Sequence, residues 1–176
     1  PSPEHIARYA KELGLKTILN LRGESPKGYY LLEKEACDRN GIALVDFQMF
    51  SRDIPPPENV LAAKKLFDSI AYPALMHCKS GADRAGIMSV FYRHFHLGEP
   101  IRDAMTELGL RTLHVKQGKT GVLDYVFERY LDEAEPQGIS FIDWVQSDAY
   151  DPVKIKAAFH ESWWGNLLTE KLLRRE

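Results

Sequence analysis

Apolar positions along the chain switch between helical spacing and short continuous runs, and the order of those switches lays out the elements. Between Pro3 and Gly14, Ile6, Tyr9, Ala10 and Leu13 share one helical face, with Ser2 as N-cap and Gly14 as the stop. Lys16 to Leu21 predicts a strand, and a turn at Arg22 to Lys27 leads into a helix from Gly28 to Arg39 closed by Asn40-Gly41. Ile42 to Phe47 predicts a second strand. The prolines Pro55 to Pro57 then open a helix to Ile70, and Tyr72 to Met76 reads as a short buried strand, with Ala74 to His77 delivering Cys78. A helix follows from Arg84 to Leu97, with Ile87, Val90, Phe91 and Phe95 on its apolar face. Helical spacing recurs from Pro100 to Leu110, Gly121 to Glu135, Ser140 to Ala149 and Pro152 to Arg175, the last broken near Trp163-Trp164-Gly165. Alternation of this kind predicts an α/β fold with a mainly parallel central sheet flanked by helices, extra helices lying at the C-terminus. Open sheets of that class bind ligands at the carboxyl ends of their strands.

The chain's 176 residues suit one domain, and neither repeats nor low-complexity stretches argue for two. The expected organisation is a single domain over 1–176, with 136–176 as a helical extension. A net charge of −2 gives no general case for nucleic acid, so attraction to an anionic substrate has to be local. Nothing approaches a transmembrane run. The aromatics Phe141, Trp144, Trp163 and Trp164 read as core packing, and Lys171, Arg174 and Arg175 are too few for a membrane patch.

The chemistry concentrates in His77-Cys78-Lys79-Ser80-Gly81-Ala82-Asp83-Arg84-Ala85-Gly86, between a predicted strand end and a predicted helix start. The first amides of a helix lack internal partners and, with the helix dipole, form an anion site. Successive loop amides can close into a nest around a dianion. Gly81 and Gly86 supply backbone freedom, and Arg84 adds a planar bidentate clamp. The same positive surroundings lower a thiol pKa from its free value of about 8.5 and supply thiolate near neutrality. A buried core Cys followed by an incidental Arg is the competing reading.

His77-Cys78-x5-Arg84-x-Gly86 resembles the signature of the cysteine-dependent protein tyrosine phosphatases, in particular their dual-specificity-like branch, over about Thr17 to Leu131. The resemblance implies a phosphomonoester hydrolase that works through a cysteinyl-phosphate intermediate. Cys78 would be the nucleophile, Arg84 and the amides of Lys79, Ser80, Gly81, Ala82 and Asp83 would hold phosphate, and His77 and Gly86 would support the loop. It further implies a proton donor on the loop after the second strand. Asp53 in Phe50-Ser51-Arg52-Asp53-Ile54-Pro55 is the candidate; Asp46 competes, but lies inside a strand, where a side chain is less free to reach substrate. A solvated loop carboxylate or helix cap is the plain alternative for Asp53.

The family mechanism requires no metal or cofactor, and the six histidines are scattered, with His94 and His96 read as packing or surface residues. One position departs from the pattern: relatives carry Ser or Thr after the signature Arg, and here Ala85 stands there, which implies a slower second step unless Ser80 compensates. Lys79 and Asp83 oppose each other in charge, so the loop is less basic than in relatives tuned for inositol phosphates or phosphoinositides. Arg22-Gly23-Glu24 reads as substrate entrance or as a turn, and Lys116 to Gly121 as an interhelical connection with Thr120 as cap, or as a loop placing water through Gln117. Cys37 reads as packing, with a redox pairing to Cys78 left open.

The expected substrate is a phosphorylated protein or a small phosphorylated molecule at a shallow site, handled by a monomer. Inositol phosphates and phospholipids form the alternative substrate class. A phosphate-binding module without turnover and a rhodanese-like sulfurtransferase remain as other classes. A thiol that must stay reduced favours the cytoplasm, although a chain starting at Pro1 leaves a lost targeting segment open.

Overall fold

In the computed structural model, which describes residues 1–50, 53–108 and 121–160, the strand β1 (Thr17–Asn20) lies between β2 (Ala43–Asp46) and β3 (Ala74–His77), and all pairings are parallel. Period-two alternation sends successive side chains of β1 to opposite faces of the sheet. Ile18 is in register with Leu44 and Leu75, and these face a small core made by Ile6 of α1 (Pro3–Leu13), Ala36 and Cys37 of α2 (Gly28–Asn40), Leu15 and Ile42. Leu19, in register with Val45 and Met76, faces the larger core. There it meets α3 (Pro57–Ser69), α4 (Asp83–Phe95), the short α5 (Ile101–Ala104), α6 (Val122–Glu133) and α7 (Phe141–Val145).

Local chemistry places most of the boundaries. Ser2 caps α1 by accepting from His5 N–H, and Gly14 ends it in the left-handed region at φ +60°. Gly41 closes α2 in the same way. Prolines open α3 as expected, while α4 begins one residue earlier than the apolar pattern alone implies, at Asp83.

Three expectations are corrected. The strand leading to Cys78 is half-buried rather than buried, because among the described residues β3 lies at the edge of the sheet and only the central β1 is covered throughout. The helix predicted from Pro100 to Leu110 stops at Ala104 and tightens into a 3₁₀ turn at Met105–Glu107. There Thr106 Oγ1 donates to Asp103 O, a local bond that competes with the helix, and Leu108 turns in against Gly86. The helix predicted from Ser140 to Ala149 is only Phe141–Val145, since Ser147 Oγ takes the Trp144 carbonyl and accepts from Ala149 N–H.

The C-terminal segment is part of the larger core. Phe141 and Trp144, read as packing residues, are buried there together with Val145, Tyr150 and, from α8 (152–160), Ile155 and Phe159. Tyr150 OH donates to Pro55 O at 2.6 Å, which ties this segment to the start of α3. Trp163, Trp164, Lys171, Arg174 and Arg175, and the 116–120 part of the connection with Gln117 and Thr120, lie outside the described residues. Among the described residues no helix is long and apolar enough to cross a membrane.

Candidate active site

At the carboxyl end of the sheet the three strand ends carry Asn20, Asp46 and His77 side by side. Asn20 Nδ2 donates to Asp46 Oδ1 at 2.7 Å and to Gly23 O at 2.9 Å, and its Oδ1 accepts from Arg22 N–H. Asp46 also accepts from Tyr30 OH at 2.5 Å. Its carboxylate is thus committed to holding β1, β2 and α2 together. The chain turns at Leu21-Arg22, where Gly23 N–H donates to Asn20 O, with Gly23 at φ +77° and the Arg22 guanidinium 4.0 Å above the Tyr29 ring.

From His77 the chain runs directly into the loop 78–82 and then α4. Cys78 Sγ accepts from Gly81 N–H at 3.2 Å, with Gly81 at φ +76°, a conformation that side chains other than glycine's resist. Burial pushes the Cys78 thiol up. Bonds from the backbone amides of Ala85, Ser80 and Gly81, joined by the Arg84 charge, outweigh it and hold the thiol below its ordinary value. Cys37 shows the opposite balance: buried on α2 without such donors, its thiol is pushed up to about 11 by burial, then by Glu33 and Asp38. The two cysteines are free and belong to the cores on opposite faces of the sheet, which gives no support to a disulfide between them.

Arg84 is the second residue of α4, and its buried Nε finds no acceptor among the described residues. Lys79, Ser80 and Gly81 are exposed at the rim, Ala82 is buried, and Asp83 is half-buried in the first turn of α4. Gly86 is needed for packing rather than for its dihedral angles: a Cβ there would meet Leu108 Cδ2 at 2.9 Å. His94 Nδ1 lies 2.7 Å from Glu99 O, and His96 stacks on Tyr72 and Tyr92, so both belong to packing.

Sequence reasoning missed Glu33. It sits on α2 with 6 % side-chain exposure, and its Oε1 lies 2.5 Å from His77 Nε2, close but off the line of an ideal hydrogen bond. His77 Nδ1 is 3.4 Å from Cys78 O, so α2 braces the residue that precedes the thiol. A signal existed: Tyr30, Glu33, Ala36 and Cys37 form the buried face of α2, and a carboxylate in that stripe demands a partner. Asp53 precedes α3 with an exposed carboxylate, and its partner among the described residues is Lys156 Nζ of α8 rather than any residue of the loop.

Chemically, the loop offers a thiol held below its ordinary pKa by backbone amides at a helix N-terminus, with a cationic fork whose buried Nε–H has no acceptor among the described residues. That combination suits a tetrahedral oxyanion held over sulfur.

A family model described as DSP-PTPase phosphatase fused to NAD+ kinase matches residues 5–123. Among solved structures, TpbA of P. aeruginosa is 16% identical, covers 81% of this chain and 80% of its own, and superposes with a TM-score of 0.58. The same protein in complex with pTyr gives 16% identity, 82% and 78% coverage and a TM-score of 0.51. Tk-PTP in its active form is 20% identical over 73% of this chain and 88% of its own, with a TM-score of 0.52. No curated protein sequence matches the chain. At these identities the structures establish a shared fold.

Two outcomes are expected from the geometry. Alkylation of Cys78 by iodoacetamide should have its pH midpoint below that of a free cysteine, and Arg84→Ala should move the midpoint upward by removing a charge that favours thiolate. In a double-mutant cycle read by urea unfolding, Glu33→Gln and His77→Asn should show a coupling of about 1–3 kcal/mol, the range for buried polar partners that are left alone when one is removed.

Proposed function

The chain belongs to the family of DSP-PTPase phosphatases fused to NAD+ kinase, and on that premise we propose that it is a phosphomonoester hydrolase using Cys78 as nucleophile on phosphorylated protein. The observation that carries the reading is the set of amides from Ser80, Gly81 and Ala85 that, with Arg84, holds the Cys78 thiol low against its own burial. A buried thiol kept only for packing has no reason to collect such donors, as Cys37 illustrates.

In the proposed reaction the Cys78 thiolate attacks phosphorus in line as the bond to the leaving oxygen breaks. Asp53 gives its proton to that oxygen, and the electron pair of the broken bond leaves with the alcohol. Arg84 and the loop amides hold the equatorial oxygens, where charge accumulates. Asp53, now a carboxylate, takes a proton from water, whose oxygen bonds to phosphorus while the sulfur departs as thiolate into the same amides that held it before. Asn20 and Tyr30 fix Asp46, which supports Asp53 as the donor.

Phosphotyrosine peptides are the favoured substrates. TpbA, similar in fold, was solved with pTyr, and Asp83 offsets Lys79, which leaves Arg84 as the loop's net positive charge, little for a polyanionic inositol phosphate.

Turnover of a phosphotyrosine peptide should vanish in Cys78→Ser while phosphate binding survives, and Asp53→Asn should lower it about 10²–10⁴-fold. Faster release from soluble inositol phosphates than from peptides would overturn the substrate class, and thiosulfate turnover the reaction class.

Ala85 carries a separate expectation. The groups that lower the thiol most are amides and a guanidinium. Breakdown of the intermediate should therefore limit the rate, giving a burst of released alcohol followed by slower turnover. Ala85→Ser should raise the steady rate relative to the burst; an unaltered ratio would remove Ala85 from the account.

A further inference from the structure

The family model ends at residue 123, yet the segment beyond it reaches the loop that carries the proposed proton donor. Two contacts make the connection. Tyr150 OH, buried, donates to Pro55 O at 2.6 Å, two residues after Asp53. Lys156 Nζ is ion-paired with Asp53 Oδ1 itself. Both anchors are firm: Ile54 next to Asp53 is 5% exposed, and Ile155 next to Lys156 is 1% exposed, each within the larger core. Their side chains still reach solvent, at 55% exposure for Asp53 and 38% for Lys156.

We propose that Lys156 is a positioning residue for the proton donor, a latch from the C-terminal extension whose hold on Asp53 competes with proton delivery to the leaving group. The ammonium holds Oδ1, and turning the carboxylate toward a leaving oxygen breaks that contact, so the pair opens in each turnover that depends on Asp53. Tyr150 keeps the backbone of the loop in place while the side chain is released, so the latch acts on the carboxylate rather than on the fold. This inference rests on the reading of Asp53 as the acid.

A partly exposed pair is a weak latch, and its weakness sets the size of the effect. Exposed pairs measured by double-mutant cycles amount to a population change of up to about fivefold. The latch bears on substrates that need an acid, such as phenyl phosphate, far more than on dinitrophenyl phosphate, whose leaving group departs without a proton.

The test is the ratio of kcat/KM for phenyl phosphate to kcat/KM for dinitrophenyl phosphate, which reports phosphoryl transfer to the enzyme and cancels general effects on binding and folding. Lys156→Met should raise the ratio about two- to fivefold, and Lys156→Arg should restore the wild-type value. Raising the ionic strength about tenfold should raise the ratio in the wild type and leave it flat in Lys156→Met, because screening dissolves an exposed pair. The salt measurement needs no substitution, so it decides the matter even if the variant folds poorly. Asp53→Asn should collapse the ratio. If it does while Lys156→Met and salt leave the ratio unmoved or lower it, the latch is refuted and the acid stands. If Asp53→Asn leaves the ratio intact, the acid assignment falls and the latch falls with it.

Discussion

A cysteine only 9% exposed is a poor place for negative charge, and the site is organised around the backbone amides that reverse that preference. For the N–H groups of Ser80, Gly81 and Ala85 to meet at Cys78 Sγ, the chain must turn back on itself within a few residues and enter a helix at once. Gly81 takes the positive φ that the turn requires. Gly86 lets Leu108 press against the first turn of α4, so the helix cannot lift away from the sulfur without opening the core. The amide cup is a consequence of chain direction and packing, which are rigid, rather than of side chains, which are not.

The same end of the sheet is braced from behind. Asn20, Asp46 and Tyr30 join β1, β2 and α2 in one polar cluster, and Glu33 brings α2 against His77. Leu21 N–H donates to His77 O at 2.9 Å, which continues the ladder up to the residue before the thiol. Polar groups of this kind cost free energy when buried alone, so they fix the strand ends in one arrangement. That explains why Asp46, at the end of β2, is bound into the scaffold, whereas Asp53 lies one loop further out with its carboxylate exposed.

Local signals carried much of this into the sequence. Ser2, Gly14, Gly41 and the prolines before α3 mark boundaries through chemistry that acts within a few residues, and the runs at Thr17, Ala43 and Ala74 mark the strands. The loop from Cys78 to Gly86 was legible because its glycines, thiol and guanidinium sit in one contiguous stretch. What escaped depends on tertiary neighbours. That β3, among the described residues, lies at the edge of the sheet follows from strand order, which no run of residues states. Leu108 and Thr106 shorten the helix after Pro100 for reasons that involve Gly86 and a local hydroxyl bond. Glu33 and Lys156 are ordinary helix residues in isolation, and 44 and 103 positions separate them from their partners His77 and Asp53.

The two proposed catalytic groups are consequently held by different kinds of force. Cys78 and Arg84 depend on backbone direction and on a core that includes Ile87, Met88, Val90 and Phe91, all nearly without exposure, so their placement changes only if the domain opens. Among the described residues, the Asp53 carboxylate is held by an ion pair at the surface, next to a backbone that Ile54 and Tyr150 keep still. A nucleophile gains from rigidity, since its donors must be in place before charge develops. A proton donor that becomes a base within the same cycle gains from a side chain that can move over a fixed backbone. Placing the first on the strand-to-helix turn and the second on a loop held by a helix beyond the family's matched segment separates these requirements. On the proposed reading, the cup stays fixed while the acid is open to adjustment by charge and salt.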